Sequence, residues 1–114
     1  MDRDNMTFRS VYVDRDVDAA VLARATRVGV TAGSVYRSFL EAGLAQLSLG
    51  AHLPEAPPDS VAVLRTCYVQ CRSDDKLAAL AIRQRQDLSE LSRRVTRLGM
   101  VTIQRAEFGP KASS

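Results

Sequence analysis

The chain has 114 residues, of which 46% are hydrophobic and 25% charged, so it is predicted to form one folded domain and not a disordered segment. Sixteen Lys and Arg against thirteen Asp and Glu give a net charge of +3, which permits nucleic acid or an anionic surface as partner without requiring either. No apolar run approaches the roughly 20 residues of a membrane-spanning helix, so no membrane association is expected.

The first part of the chain predicts one strand and two helices. The stretch from Phe8 to Val13 alternates and is rich in β-forming residues. Apolar residues at helical spacing then run up to Gly29, which fits the glycine that commonly ends a helix. Thr31 is placed to cap a second helix. Residues 49–60 contain three prolines and are predicted to form a linker.

The second part of the chain repeats this order. Val61 to Cys71 predicts a second strand, and two further amphipathic helices are expected, the last ending at Gly99. Residues 101–114 are predicted to be a tail, in which the segment VTIQRAEF is a candidate short strand. The element order is therefore strand, helix, helix, linker, strand, helix, helix.

The two parts align without a gap when the chain is shifted by 56 residues. Nine of the 36 aligned positions are identical, across the strand, both helices and the closing glycine, which favours an internal duplication. The identical pairs are Arg9/Arg65, Tyr12/Tyr68, Val13/Val69, Asp18/Asp74, Ala23/Ala79, Ala25/Ala81, Arg27/Arg83, Arg37/Arg93 and Gly43/Gly99. The predicted organisation of the single domain 1–114 is repeat one at 8–48, linker at 49–60, repeat two at 61–100 and tail at 101–114.

The stretch VYVDRDVDAAVLARATRVGVTAGSVYRSFLEAGL, residues 11–44, resembles the ribbon-helix-helix family of DNA-binding proteins. The resemblance rests on the alternating strand, the helix directly after it, the turn at residues 29–31 and the Ala-Gly-Leu end of the second helix. It implies an α+β fold, mostly α, in which two strands form an antiparallel ribbon over four helices. Both units lie in one chain here, so the implied molecule is a monomer built as a pseudo-dimer.

The second unit departs from the family pattern at one turn. Arg85, Gln86 and Asp87 stand where the first unit has Gly29, Val30 and Thr31, so the helix packing at that corner is an open question. Asp87 can still cap the helix that follows it.

Over residues 9–109 the chain is similar to single-chain, double ribbon-helix-helix proteins that assist T-DNA transfer from Ti plasmids, encoded in the virulence C operon. This similarity implies sequence-specific binding of double-stranded DNA beside the T-DNA border, with relaxase and other transfer proteins as candidate partners. An alternative with the same fold is a plasmid or chromosomal transcriptional repressor or antitoxin. A third reading is a protein-interaction module that never contacts DNA, in which arginines serve solubility.

The orientation of the two strands decides which side chains face DNA. Val13 directly precedes a helix and is expected in the core with Val11, which turns the intervening residues outward. The opposite orientation would expose both strand arginines, but also these two valines. The side chains expected to face outward are Phe8, Ser10, Tyr12, Thr66 and Tyr68, and those expected to face inward in the second strand are Cys67, Val69 and Cys71.

The candidate DNA-contacting residues fall into three groups. Hydroxyl and tyrosine side chains on the ribbon are expected to reach bases, although an exposed strand tyrosine can also be only a good β-former. Strand arginines at the ribbon ends, and amides at the start of the second helix, are expected to contact phosphates, with two further arginines compensating Asp87. The full set is Arg9, Ser10, Tyr12, Thr31, Ala32, Gly33, Arg65, Thr66, Tyr68, Arg83 and Arg85. Because the units differ, an asymmetric DNA site is expected.

The sequence predicts neither an enzyme nor a cofactor or metal site. His52 stands alone in the linker, and no Gly-rich phosphate loop, metal-ligand pattern or nucleophile motif occurs. The two cysteines are expected to be reduced core residues of a cytoplasmic protein, and the N-terminus lacks signal-peptide character.

Two charge clusters have competing interpretations. Asp14, Asp16 and Asp18 are interpreted as residues of a helix start and not as metal ligands. The cluster of Arg93, Arg94 and Arg97 is interpreted as a solvated helix face, with phosphate contact as the alternative.

Overall fold

The computed structural model describes residues 5–55 and 61–108, and its elements follow the predicted order. They are strand β1 (Met6–Asp14), helices α1 (Arg15–Val28) and α2 (Ala32–Ser48), strand β2 (Ala62–Gln70), and helices α3 (Cys71–Gln84) and α4 (Leu88–Phe108). The fold class is α+β and mostly helical, as predicted. Residues 49–55 of the expected linker contain neither helix nor strand, and the remainder of it lies outside the described residues.

The sheet consists of β1 and β2 paired antiparallel along their whole lengths. Ser10 lies opposite Thr66 at the centre, with Phe8 opposite Tyr68 on one side. Each strand alone would leave a row of backbone N–H and C=O groups without partners. The second strand therefore satisfies the first across sequence separations of 48 to 64 residues.

One hydrophobic core lies between the inner face of the ribbon and the four helices. Its innermost large side chains come from α2 and α4, which pack against each other more extensively than any other helix pair. Apolar residues of α1 and α3 and the inward side chains of both strands complete it. The buried hydrophobic residues are Val13, Val17, Val21, Ala25, Val35, Tyr36, Phe39, Leu40, Leu44, Cys67, Val69, Leu77, Ala81, Leu91, Val95 and Met100.

Two glycines allow α2 and α4 to cross at very short range. A Cβ on Gly43 would overlap the carbonyl oxygen of Val95, and a Cβ on Gly99 would overlap that of Phe39. Neither position has room for a Cβ, so each glycine is required by the approach of the opposite backbone.

The prediction that the last helix ends at Gly99 is wrong, because α4 continues to Phe108. Gly99 is a packing glycine inside the helix and not a C-terminal glycine. The candidate strand at 101–108 is accordingly helical, since this segment packs back on α1: Arg24 and Arg27 both form ion pairs with Glu107. Residues 109–114 of the expected tail lie outside the described residues.

The two turns between paired helices have the same backbone geometry. Gly29 is left-handed (φ 81°, ψ 38°), and Arg85 is also left-handed (φ 54°, ψ 43°). The residue after each turn residue donates its N–H to the carbonyl oxygen of an alanine near the helix end, Ala25 or Ala81. Arg85 therefore gives its turn the same backbone geometry that Gly29 gives the other, which answers the question of helix packing at this corner.

Helix starts match the predictions in part. The Thr31 side chain accepts a hydrogen bond from the N–H of Ser34, and that of Asp87 accepts one from Glu90, so both predicted caps are confirmed. Asp14 is the N-cap residue of α1 but makes no side-chain cap. Helix α3 begins at Cys71, directly after β2, so Ser73 and Asp74 lie inside its first turn and not at its N-cap. Among the described residues, the helices lack the combination of length and apolarity needed to cross a membrane.

Candidate nucleic-acid interface

The outer face of the ribbon presents the side chains that the sequence predicts to face outward. Phe8, Ser10 and Tyr12 of β1 are exposed, and so are Thr66 and Tyr68 of β2. The inner face carries the fully buried side chains of Val13, Cys67 and Val69, with Val11 half-buried. The predicted strand orientation is thus confirmed, apart from Cys71, which belongs to α3 and is half-buried.

Three exposed cross-strand pairs form the centre of this outer face. Phe8 and Tyr68 contact each other edge to face, with ring centroids 5.0 Å apart. Ser10 lies opposite Thr66, and Tyr12 lies opposite Leu64. Leu64 is 54% exposed and was missed in the sequence, although it has the same strand parity as Thr66. The surface is aromatic or aliphatic towards both ends and carries hydroxyl groups at its centre.

The two strand arginines hold the ribbon to the helices and lie near its centre, not at its ends as expected, while contact between them and phosphate stays a prediction. Arg9 donates from Nε and Nη2 to the two carboxylate oxygens of Asp74, at 3.0 and 2.6 Å. Arg65 donates in the same way to Asp18, at 2.8 and 2.7 Å. Inward strand parity brings each guanidinium beside an acidic residue of a helix first turn. The hydrogen bonds from Arg9 hold the pKa of Asp74 below its usual range.

Two crevices bring the predicted contact residues of strands and helices together. Arg65 and Thr66 of β2 line one crevice with Ala32 and Gly33 at the start of α2. The other crevice lies between β1 and the start of α4; it is lined by Arg9, Ser10, Tyr12, Leu88 and Ser89, among others. Each strand of the ribbon therefore borders a helix N-terminus, β2 that of α2 and β1 that of α4.

The first turn of α2 is occupied by local packing and capping. Thr31 uses its hydroxyl to accept from Ser34, and Gly33 would place a Cβ 3.5 Å from the Cβ of Cys67. Arg83 and Arg85 are exposed at the end of α3, but neither lines the two crevices. The structure thus joins Ala32 and Gly33 to the ribbon surface, with Thr31 capping the same helix, and leaves Arg83 and Arg85 outside both crevices.

The interpretation of Arg93, Arg94 and Arg97 as a solvated helix face is wrong. Arg97 is 9% exposed and donates to both Asp14 and Asp16, at distances between 2.7 and 2.9 Å. Arg93 donates to Asp14 at 2.7 Å, and Arg94 donates to the carbonyl oxygens of Leu53 and Pro54. These residues fasten α4 to the start of α1 and to the linker, because buried guanidinium groups need carboxylate or carbonyl partners.

The acidic cluster at the start of α1 is fully engaged by arginines. Asp14 is 1% exposed and accepts from Arg93 and Arg97, while Asp18 accepts from Arg65. Hydrogen bonds from Arg97 hold the pKa of Asp16 below its usual range. Among the described residues no three His, Cys, Asp or Glu side chains are grouped so that they could hold a metal ion.

Two exposed arginines that the sequence did not single out flank the ribbon. Arg15 is the first residue of α1, directly after β1, and Arg72 is the second residue of α3, directly after β2. Cations in the first turn of a helix are disfavoured by the helix dipole, so an arginine at this position could have been recognised in the sequence as a candidate anion contact. The charges suit an anion bound at both ends of the ribbon.

Comparison with known proteins gave no match in any of three searches. No family model matches the chain, no curated protein does, and no solved structure does.

Proposed function

We propose that the chain is a ribbon-helix-helix type of protein that binds double-stranded DNA through its two-stranded ribbon. The observation that carries the proposal is the exposed, hydroxyl- and aromatic-bearing face of an isolated antiparallel strand pair, supported from below by four helices. A two-stranded ribbon has the width that the major groove of B-DNA admits, and base edges are distinguishable there.

Internal duplication is part of this proposal, and several contacts support it. The central strand pair, Ser10 and Thr66, joins residues 56 apart, so a shift by 56 exchanges the two strands in register. The same shift relates the ion pair Arg9–Asp74 to Arg65–Asp18. It also relates the contact of Gly43 with Val95 to that of Gly99 with Phe39. One chain would thus supply what two identical subunits supply in a symmetric dimer.

The surroundings of the ribbon support phosphate contacts on both sides. Arg15 and Arg72 lie in helix first turns beside the ribbon ends, where a bound phosphate would offset their unfavourable interaction with the helix dipole. The start of α2 lines a crevice with Thr66, and helix N-termini bind phosphate through their N–H groups. Such contacts position a protein on DNA, while the ribbon face reads the bases.

Within this class we propose a role as an accessory of T-DNA processing and transfer in the cytoplasm. This step rests on the sequence resemblance over residues 9–109, which implies a site beside the T-DNA border and relaxase and other transfer proteins as partners. A transcriptional repressor or antitoxin with the same ribbon is the alternative. Affinity for a duplex containing the transfer-enhancing sequence, compared with the DNA upstream of the protein's own coding region, separates the two roles.

The proposed DNA binding predicts a steep dependence on salt. Fluorescence anisotropy with labelled duplexes should show binding at low salt and a linear loss of log affinity with log salt, since each phosphate contact releases a counterion. Replacing Arg72 by Ala should lower the magnitude of the slope by about one. Replacing Tyr12 and Tyr68 together by Ala should instead reduce the preference for the selected sequence over random DNA.

The matched control is Ile82→Ala, because Ile82 is 80% exposed on α3 and lines neither crevice. This variant should bind as the unaltered protein does. Negligible duplex binding at low salt would overturn the proposed function. Unchanged sequence preference in the tyrosine variant would show that the outer face does not read the bases.

A further inference from the structure

The central side chains on the outer face of the ribbon carry only aromatic, aliphatic and hydroxyl groups. Its three central cross-strand pairs are Phe8 with Tyr68, Ser10 with Thr66, and Tyr12 with Leu64. The four large side chains are between 46% and 54% exposed, which is high for apolar groups on a short strand pair. None of the six carries a guanidinium, ammonium, amide or carboxylate group.

This range matches one base better than the others. In the major groove guanine is read by Arg or Lys, adenine by Asn or Gln, and cytosine by Asp or Glu. Thymine instead presents a 5-methyl group, which is read by apolar contact, and hydroxyl groups tolerate several bases. The six central side chains lack the usual readers of guanine, adenine and cytosine and supply four apolar surfaces.

The nearest charged groups do not change this assignment. Arg9 and Arg65 have inward parity, and each is held by two hydrogen bonds to a carboxylate, Asp74 or Asp18. A move towards guanine would leave that carboxylate without its partner. The one amide side chain within the two strands, Gln70, lies at the end of β2, half-buried, and its Oε1 accepts from Arg72.

We infer that the ribbon recognises the 5-methyl groups of thymine, so that its DNA site is rich in A·T pairs under both ends of the ribbon. This inference rests on the proposed function and adds the chemical group that is read. The Phe8–Tyr68 and Tyr12–Leu64 pairs are four residues apart along β1, which is about 13 Å or roughly four base-pair steps. Two thymine clusters at that spacing, with a tolerant centre below Ser10 and Thr66, follow from this arrangement.

The test begins with selection of binding duplexes from a random-sequence pool at low salt. The selected duplex is then resynthesised with thymine replaced by uracil at single positions, which removes the 5-methyl group and keeps every hydrogen-bonding group. Binding should weaken by about fourfold for each contacted methyl, the value of one buried methylene-sized group. Where a contacted T·A pair is replaced by a C·G pair, methylation of that cytosine at C5 should restore the methyl group and recover part of the affinity.

A protein variant provides the matching evidence from the other side of the contact. Leu64→Ala should reduce the thymine-to-uracil affinity ratio at one cluster alone, because Leu64 is exposed and its truncation leaves the core intact. Ile82→Ala should leave the ratio unchanged.

The outcomes separate this inference from the function on which it rests. Selected duplexes rich in G·C, or equal affinity for thymine and uracil at every position, would overturn the reading of thymine while DNA binding stands. Absence of duplex binding at low salt would overturn both. In that case light scattering that showed self-association lost in Leu64→Ala would assign the apolar face to contact between copies of this chain.

Discussion

Arg85 shows how a single residue departs from the rule that its backbone position imposes. It is left-handed at φ 54°, and it is the sole non-glycine residue with positive φ in the described part of the chain. A side chain in this conformation costs roughly 1–2 kcal/mol, whereas glycine adopts it without that cost. Gly29 occupies the matching turn of the first unit. Arg85 is therefore a strained residue at a turn where glycine would avoid the strain.

Replacing Arg85 by Gly should stabilise the protein by up to about 1 kcal/mol. The gain is the released strain less the greater entropy that glycine adds to the unfolded chain. Urea unfolding followed by circular dichroism measures it, and the slope of the transition should not change. Gly29→Ala is the matched control and should destabilise by about 1 kcal/mol. A loss of stability in Arg85→Gly would mean that the arginine side chain contributes more than its backbone costs.

The crossing of α2 and α4 shows which properties of an element are readable from sequence. The helical stripes of α2 and the orientation of both strands were predictable, because apolar periodicity reports which face is buried. The length of α4 was not, because Gly99 fits a helix end equally well on sequence grounds. Only the position of the Phe39 backbone, set by the whole fold, shows that the glycine serves close approach.

The prediction that the arginine cluster of α4 is a solvated helix face was wrong for a related reason. Spacing places Arg93 and Arg97 on one helix face, but a solvated face and a buried ion-pair face have the same spacing. Their acidic partners lie about eighty residues earlier, at the start of α1. The candidate site was likewise predictable only in part. The alternation of the strands predicted the outward tyrosines, whereas the ion pairs of Arg9 and Arg65 with carboxylates depend on the tertiary structure.

Adding a methyl group at the helix crossing should destabilise the protein severely. Gly99→Ala places Cβ against the backbone carbonyl of Phe39, which cannot move without separating the two helices. A loss of at least about 3 kcal/mol is expected, even though alanine is the better helix former. Gly43→Ala should behave alike, because its Cβ would meet the carbonyl of Val95.

Gly33→Ala is the control for the helix crossing, since it also lies in α2 and its Cβ would meet only the Cβ of Cys67, at 3.5 Å. It should leave stability unchanged or slightly raised. Thermal unfolding of the three variants under one set of conditions makes the comparison. Equal melting temperatures for Gly99→Ala and Gly33→Ala would contradict the close approach.

At the scale of the whole molecule the two units share a frame and differ in charge. Asp14 and Asp16 accept from Arg93 and Arg97 on one side. A shift by 56 residues relates Asp14 and Asp16 to Gln70 and Arg72, and it relates Arg93 and Arg97 to Arg37 and Glu41. Arg37 donates to the carbonyl oxygen of Tyr68, and Glu41 has a buried carboxylate oxygen without a hydrogen bond. Asp14 and Asp16 at one end of the ribbon are thus held in ion pairs, whereas the matching positions at the other end are Gln70 and an exposed Arg72, a difference that agrees with the proposed asymmetric DNA site.

Dependence of each unit on the other gives a prediction for the whole chain. A fragment ending at residue 58 retains β1, α1 and α2, but β1 loses every interstrand partner and the buried face of α2 around Phe39 and Gly43 loses α4. Such a fragment should be unfolded as a monomer, because neither the backbone groups nor the apolar surface is satisfied. Self-association through a β1–β1 ribbon centred on Ser10 is the folded state open to it.

Circular dichroism and light scattering on the separate fragments, and on their mixture with residues 59–114, test this dependence. Helical signal should be low or rise with concentration for each fragment alone, because association replaces the missing strand. The mixture should give a helical one-to-one complex, since pairing of the two different fragments restores the Arg9–Asp74 and Arg65–Asp18 ion pairs. In a β1–β1 ribbon Arg9 has Asp18 of the other copy as its acidic partner. A fragment that is monomeric and fully helical at every concentration would show that the units fold independently, and the ribbon would then be a docking contact and not the organising element of the fold.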